Sequence, residues 1–199
     1  MSKVESAVVW ALGIAYDNSH GYDQTHRWGN DYDCSSLVIS AFEQAGIPVK
    51  TKGATYTGNM YSVFTKCGFT DVTKNVNLKT GTGLLRGDVL LVHNSKHQHT
   101  GIYCGGMKEV EASINENGKP TGGKTGDQTG KEILVRSYRT DLWTTVLRYK
   151  ESITKDIDVV ALEVIQGKWG NGDLRKNMLE MAGYNYEEVQ AKVNKLAGK

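Results

Sequence analysis

The sequence predicts an α+β protein whose helices come first, whose small antiparallel sheet follows, and whose C-terminal end is a separate helical module. Apolar residues recur at helical spacing as far as Ala45. Short β-prone runs separated by Gly, Asn and Lys turns occupy the middle of the chain, and after Tyr149 the period returns to that of short amphipathic helices.

In the first helix Val4, Ala7, Val8, Ala11 and Ala15 share a face with Ser6 between them, so the stretch behind Lys3 reads as an amphipathic helix and no signal peptide is expected. Asp17 to Asp33 is polar and turn-rich, which predicts an ordered loop long enough to be functional. A second helix runs from Cys34 to Ala45 on Leu37, Val38, Ala41, Phe42 and Ala45, stops at Gly46 ahead of Pro48, and has Asp33 as its N-cap. Cys34 therefore opens a helix, where the dipole and the unsatisfied N–H groups favour thiolate over thiol.

The strands expected are Gly87 to His93, His99 to Cys104, Glu109 to Ile114, Ile133 to Arg136 and Trp143 to Tyr149. Between the third and fourth lies a Gly-rich segment, Asn115 to Glu132, without large apolar residues, expected as a surface loop bordering the cleft. Ile157 to Ile165, Leu174 to Ala182 and Tyr186 to Leu196 make a three-helix module. The organisation read from these patterns is a first domain over 1–150, a linker over 151–155 and the helical module over 156–199.

Composition narrows the function classes. With 39% hydrophobic and 23% charged residues the chain is an ordinary globular sequence, and a net charge of +2 with no Lys/Arg run gives no reason to expect nucleic acid. No apolar run approaches the roughly 18 residues a membrane span needs, so no membrane partner is expected. Cys34, Cys67 and Cys104 are odd in number and widely spaced, unlike a disulfide framework, so free thiols are expected, with Cys67 and Cys104 structural.

A thiol at a helix start, a histidine opening a later strand (His99) and an acidic residue on the next strand follow the logic of nucleophile, base and orienting group. His93, His97 and His99 could pass for a metal cluster, but neither HExxH nor a paired-cysteine motif accompanies them, and no metal or cofactor is expected. His20 and His26 read as solvated loop residues, and Asp127 as a turn residue by default with substrate binding as the alternative.

The motifs DYDCSSLVISAF, GDVLLV, HTGIY and VEAS, in that order, resemble the NlpC-type papain-like cysteine hydrolases, and more closely the phage endolysins of the bacteriophage peptidoglycan hydrolase branch. The resemblance covers roughly Ala7 to Tyr149 and implies a papain-like fold, with Cys34 as nucleophile and His99 as general base. Glu111 would orient the imidazole in a slot where the family most often has His or another polar residue, with Asn115 and then Glu109 as the next choices. The Cys34 N–H would form part of the oxyanion hole, and Tyr22 would stand beside the nucleophile. Asp33 and Ser35, which flank the sulfur, are expected at the substrate; Trp28 either lines the groove or packs the loop down.

The segment from Ile157 to Leu196 resembles the choline-independent cell-wall-binding repeat of phage lysozymes. That resemblance implies a bundle binding a peptidoglycan fragment through Trp169, Gly170, Asn171 and Arg175, with Trp169 equally readable as a core anchor. The function implied is a phage endolysin, either an N-acetylmuramoyl-L-alanine amidase or an endopeptidase, that waits in the host cytoplasm for holin-mediated release to the wall. The alternative is an inactive cell-wall-binding protein. One repeat by itself also raises the expectation of self-association, or of pairing with a separately made C-terminal fragment.

Overall fold

The computed structural model describes residues 2–151 and 155–198. Part of the expected 151–155 linker, residues 152–154, lies outside the described residues. Two compact units emerge, 1–150 and 151–199.

The first unit places helices α1 (Lys3–Tyr16), α2 (Cys34–Gln44) and α3 (Thr57–Lys66) on an antiparallel sheet of strands β1 (Phe69–Asp71), β2 (Val89–His93), β3 (Gln98–Gly105), β4 (Lys108–Ala112), β5 (Ile133–Ser137) and β6 (Thr145–Tyr149). Strand order is β1-β6-β2-β3-β4-β5, so β3, which carries His99, is interior and has a partner on each side. This is the expected α+β arrangement. Beyond the expected elements it adds α3 and β1. The α3 helix buries Thr57, Met60 and Phe64, and three-residue β1 is a strand because β6 pairs with it, Phe69 lying opposite Tyr149.

Alternation along the strands divides the core. One face, with Val89, Leu91, Ile102, Cys104, Val110 and Leu147, meets Val38, Phe42, Met60 and Phe64 from the helices. Phe69 anchors this layer, its ring 5.0 Å from Phe42 and 4.7 Å from Phe64. The other face gathers Leu90, Val92, Tyr103, Tyr138, Trp143 and Val146 into a second core.

Two residues of the Gly-Asp motif have structural reasons. Gly87 has φ of 93°, and a Cβ there would collide with Val4 of α1. Buried Asp88 accepts two bonds from Arg148, both at 2.7 Å, and one from the Leu85 amide at 2.8 Å, tying the start of β2 to β6.

The loop between α1 and α2 is ordered by buried carboxylates. Asp31 accepts from the Gly21 and Gly126 amides at 2.8 and 2.9 Å, and Glu132 accepts from the Tyr22 and Gln128 amides at 2.9 and 3.0 Å. Asp127, a turn residue as expected, takes the amides of Thr129, Gly130, Lys131, Glu132 and Ile133.

The second unit is a three-helix bundle of α4 (Ile157–Ile165), α5 (Gly172–Met181) and α6 (Tyr186–Leu196). Val160, Ala161, Val164, Leu179, Tyr184, Val189 and Val193 form its small core.

Candidate active site

Asp33 starts α2 as its capping residue. Its Oδ1 accepts from the Ser36 amide at 2.7 Å and the Ser35 hydroxyl at 2.8 Å, while the Ser36 hydroxyl lies 2.9 Å from the Asp33 amide that donates to it. Its Oδ2 pairs with Arg27 at 2.7 Å, and Arg27 also donates to the Ser35 hydroxyl at 3.1 Å. Asp33 and Ser35 were expected at the substrate. Their oxygens are engaged in the helix cap and with Arg27 in this structure, which ties them to the setting of residue 34.

Cys34 is buried, 7% exposed. The amides of Cys34, Ser35 and Thr100 approach its sulfur, and Thr100 is the residue after His99. On the other side, the Asp33 carboxylate is close enough to act on the His99 ring. The start of α2 and the start of β3 are thereby brought face to face.

His99 Nε2 and Glu111 Oε2 are 2.7 Å apart. Because a carboxylate accepts, Nε2 carries the hydrogen and Nδ1 is the basic nitrogen. Glu111 is fully buried. Of the other two choices for the orienting group, Asn115 is engaged in its own loop, bonding Thr121, Asn117 and Lys119, and Glu109 bonds Arg139 and Trp143.

The electrostatics differ from the sequence expectation. Burial pushes the Cys34 thiol up to about 12, with the Asp33 charge adding to it, and the surrounding amides only partly oppose the rise. Burial, followed by the Arg139 charge, lowers His99 to about 4. Desolvation of a buried thiolate thus opposes the helix start, and both shifts favour the uncharged forms of the pair.

Tyr22 is buried beside the sulfur, and burial together with the nearby Cys34 raises its hydroxyl well above the usual tyrosine range. Its hydroxyl accepts from Gln24 at 3.1 Å. Trp28 is partly exposed in an open depression lined by Thr25, His26, Arg27, Gly29 and Asn30, with the Lys50 ammonium 4.2 Å from its ring centre and the Arg27 guanidinium 5.2 Å away.

The histidine cluster dissolves in three dimensions. His99 lies opposite Val92 and His93 opposite Gln98, so pleating sends the two rings to opposite faces; His93 packs on Tyr56, and His97 lies in the turn before β3. Among the described residues no group of His, Cys, Asp and Glu is placed to hold a metal ion.

Sequence reading missed Arg27, Arg136, Arg139 and Trp143. Arg139 bonds Glu111 Oε2 and, at 2.8 Å, Glu109 Oε1; Arg136 lies 3.3 Å from Glu111 Oε1; the Trp143 ring stacks on His99 with centres 5.7 Å apart and planes 15° apart. For Arg136, Arg139 and Trp143 the one signal was a pair of arginines shortly before a tryptophan, with acidic residues alternating on a neighbouring strand.

In the second unit Trp169 donates to Glu163 at 3.1 Å and meets Tyr184 edge-on at 5.9 Å, a core-anchoring position. Arg175 bonds the Gly170 carbonyl at 3.1 Å, Asn171 Oδ1 at 2.8 Å and Gln190 Oε1 at 3.3 Å, so it clips the Gly-rich loop to α6.

Helices over an antiparallel sheet thus bring together a cysteine at a capped helix start and a histidine–carboxylate pair on adjacent strands. The model of the endolysin-like domain family matches residues 29–107 and 110–167, and the chain belongs to that family; residues 158–197 match the CW_7 repeat. A lysozyme of Streptococcus phage Cp-7 is 50% identical over 46 residues, which are 23% of this chain and 14% of that protein, so the chain matches only a small part of that relative. Similar solved structures include a hypothetical invasion protein of Mycobacterium tuberculosis, 21% identical with TM-score 0.46, covering 74% of this chain and 62% of that one. Another is NlpC2 from Trichomonas vaginalis, 16% identical with TM-score 0.47, covering 76% and 48%. The NlpC/p60 domain of the peptidoglycan hydrolase SagA is 15% identical with TM-score 0.44, covering 71% and 97%.

Proposed function

We propose that the chain is a phage endolysin whose first unit uses Cys34 to hydrolyse an amide bond in, or at the base of, the peptidoglycan stem peptide. The carrying observation is the His99–Glu111 contact at 2.7 Å beside a sulfur set at the capped start of α2. Cys34 Sγ attacks the carbonyl carbon while His99 Nδ1 takes its proton, and the Cys34 and Ser35 amides meet the oxyanion. Collapse breaks the C–N bond, with His99 returning the proton to the leaving amine. Water, deprotonated by His99, then releases the acyl group from sulfur and restores the thiol. In this reading Tyr22, buried beside the sulfur, bonds the tetrahedral intermediate, and Trp28 stacks on the substrate.

The C-terminal repeat holds the wall, with peptidoglycan as the partner; the lysozyme relative makes streptococcal walls the first to try. The protein would act after holin-mediated release from the host cytoplasm. Among the described residues no helix is long and apolar enough to cross a membrane. One repeat binds weakly, and avidity would come from self-association or from a separately made C-terminal fragment; a single monomer mass in light scattering of the native gene product counts against that.

Purified walls should lose turbidity with the wild type and not with Cys34→Ala, and mass spectrometry of the fragments should show the new amino terminus that separates amidase from endopeptidase. Lysis that survives Cys34→Ala overturns the assignment. Absence of lysis by the wild type on every wall tested favours the inactive wall-binding reading.

A further inference from the structure

We propose that Arg139 and Trp143 are positioning residues of the hydrolytic site: Arg139 holds Glu111 in the orientation that fixes the His99 ring, and Trp143 sets the plane of that ring. The inference rests on the cysteine-hydrolase reading above.

Glu111 Oε2 serves two partners, His99 Nε2 and Arg139. The same guanidinium reaches Glu109 Oε1 through Nε at 2.8 Å, so one planar fork spans two fully buried carboxylates on the same face of β4. Such carboxylates keep their charge and direction only with a partner of this kind. The Trp143 indole N–H donates to the remaining oxygen of Glu109 at 2.8 Å, and the Arg139 guanidinium lies 5.0 Å from the Trp143 ring centre. The indole is thus held by Glu109 and Arg139 while its face lies against the imidazole.

A Cβ at Gly101, two residues after His99, would come 3.0 Å from the Val110 carbonyl, so the glycine of the His-x-Gly motif lets β3 lie close against β4, the strand that carries Glu109 and Glu111.

The charged groups that act on His99 are Asp33 at the start of α2, Glu109 and Glu111 on β4, Arg136 on β5, and Arg139 beyond it. The two arginines balance the two glutamates without a proton on His99. Removing Arg139 leaves an excess of negative charge, which favours imidazolium.

The test uses the full chain and a soluble muropeptide, with Arg139→Met, Arg139→Lys, Trp143→Leu and Trp143→Phe. Arg139→Met should lower kcat about tenfold or more with KM within about twofold, as misorientation of a catalytic group does, and should move the acid limb of kcat/KM to higher pH. Arg139→Lys keeps the charge without the fork, so the limb should stay while kcat falls. Trp143→Phe should retain more activity than Trp143→Leu.

The His99 titration, followed by NMR in a Cys34→Ala background, should move up with Arg139→Met whether or not the variant turns over. Wild-type kcat and an unmoved His99 titration in Arg139→Met would overturn the inference while leaving the hydrolase reading intact. Wall lysis that persists in Cys34→Ala would overturn the hydrolase reading, and the NMR titration would still decide the role of Arg139.

Discussion

Arg27 Nη1 meets Asp33 Oδ2 at 2.7 Å under the first turn of α2, so the carboxylate that caps the nucleophile's helix is also half of a largely buried ion pair. Asp33→Ala removes the cap and strands Arg27. The expected cost is about 2–4 kcal/mol, from cap loss and a broken buried pair together. Asp33→Asn keeps an acceptor for the Ser36 amide and should lose about half as much in chemical denaturation. Equal losses in the two variants would show that the charge, not the cap, dominates.

Glu111→Gln retains a hydrogen-bonding oxygen but loses the charge that accompanies imidazolium formation. We expect kcat to fall by about 10²–10⁴, the range for disabling general acid–base catalysis, with the thermal midpoint changing little if Arg139 repacks. Asn115→Ala, which unclips only its own loop, should leave kcat within about threefold, on the scale of a substitution away from the reacting groups.

Thiol chemistry provides a check without substrate. With Cys34 pushed up to about 12 and His99 down to about 4, iodoacetamide should modify Cys34 slowly at neutral pH and faster as pH rises. An alkylation rate already on its plateau near pH 6 would mean a preformed thiolate–imidazolium pair and contradict the neutral resting state.

The same depression of His99 has a stability consequence. Between its folded value of about 4 and the ordinary histidine value of 6.5, the unfolded chain binds a proton that the folded chain does not. Stability from this group is therefore present above 6.5 and lost as pH falls through that window. Urea midpoints across it should rise with pH in the wild type and rise less in His99→Gln.

In the wall-binding unit, Arg175→Ala should release the loop around Gly170 from α6, and its effect separates two roles. If the arginine is a clip, pull-down on walls falls together with the bundle's melting temperature. If it contacts the ligand, pull-down falls while melting holds.

Local periodicity was enough to read α1, α2, β2 to β6 and the three C-terminal helices, because their apolar residues recur at the helix or strand period between turn signals. α3 and β1 escaped. In α3 the helical period of Met60, Val63, Phe64 and Cys67 spans only two turns and opens on the polar Thr57-Gly58-Asn59, and β1 exists through its pairing with β6.

The sequence alone determined the order of elements, the cap before Cys34, and the positions of His99 and Glu111 on successive strands, since these follow from residue type and spacing. Only the tertiary structure decided that Glu111 is shared with Arg139, that Trp143 lies on His99, and that burial works against the acidity of the sulfur. Those are long-range contacts and burial effects, and a buried group's protonation is set by what surrounds it in space, with desolvation here outweighing the dipole of the helix it begins.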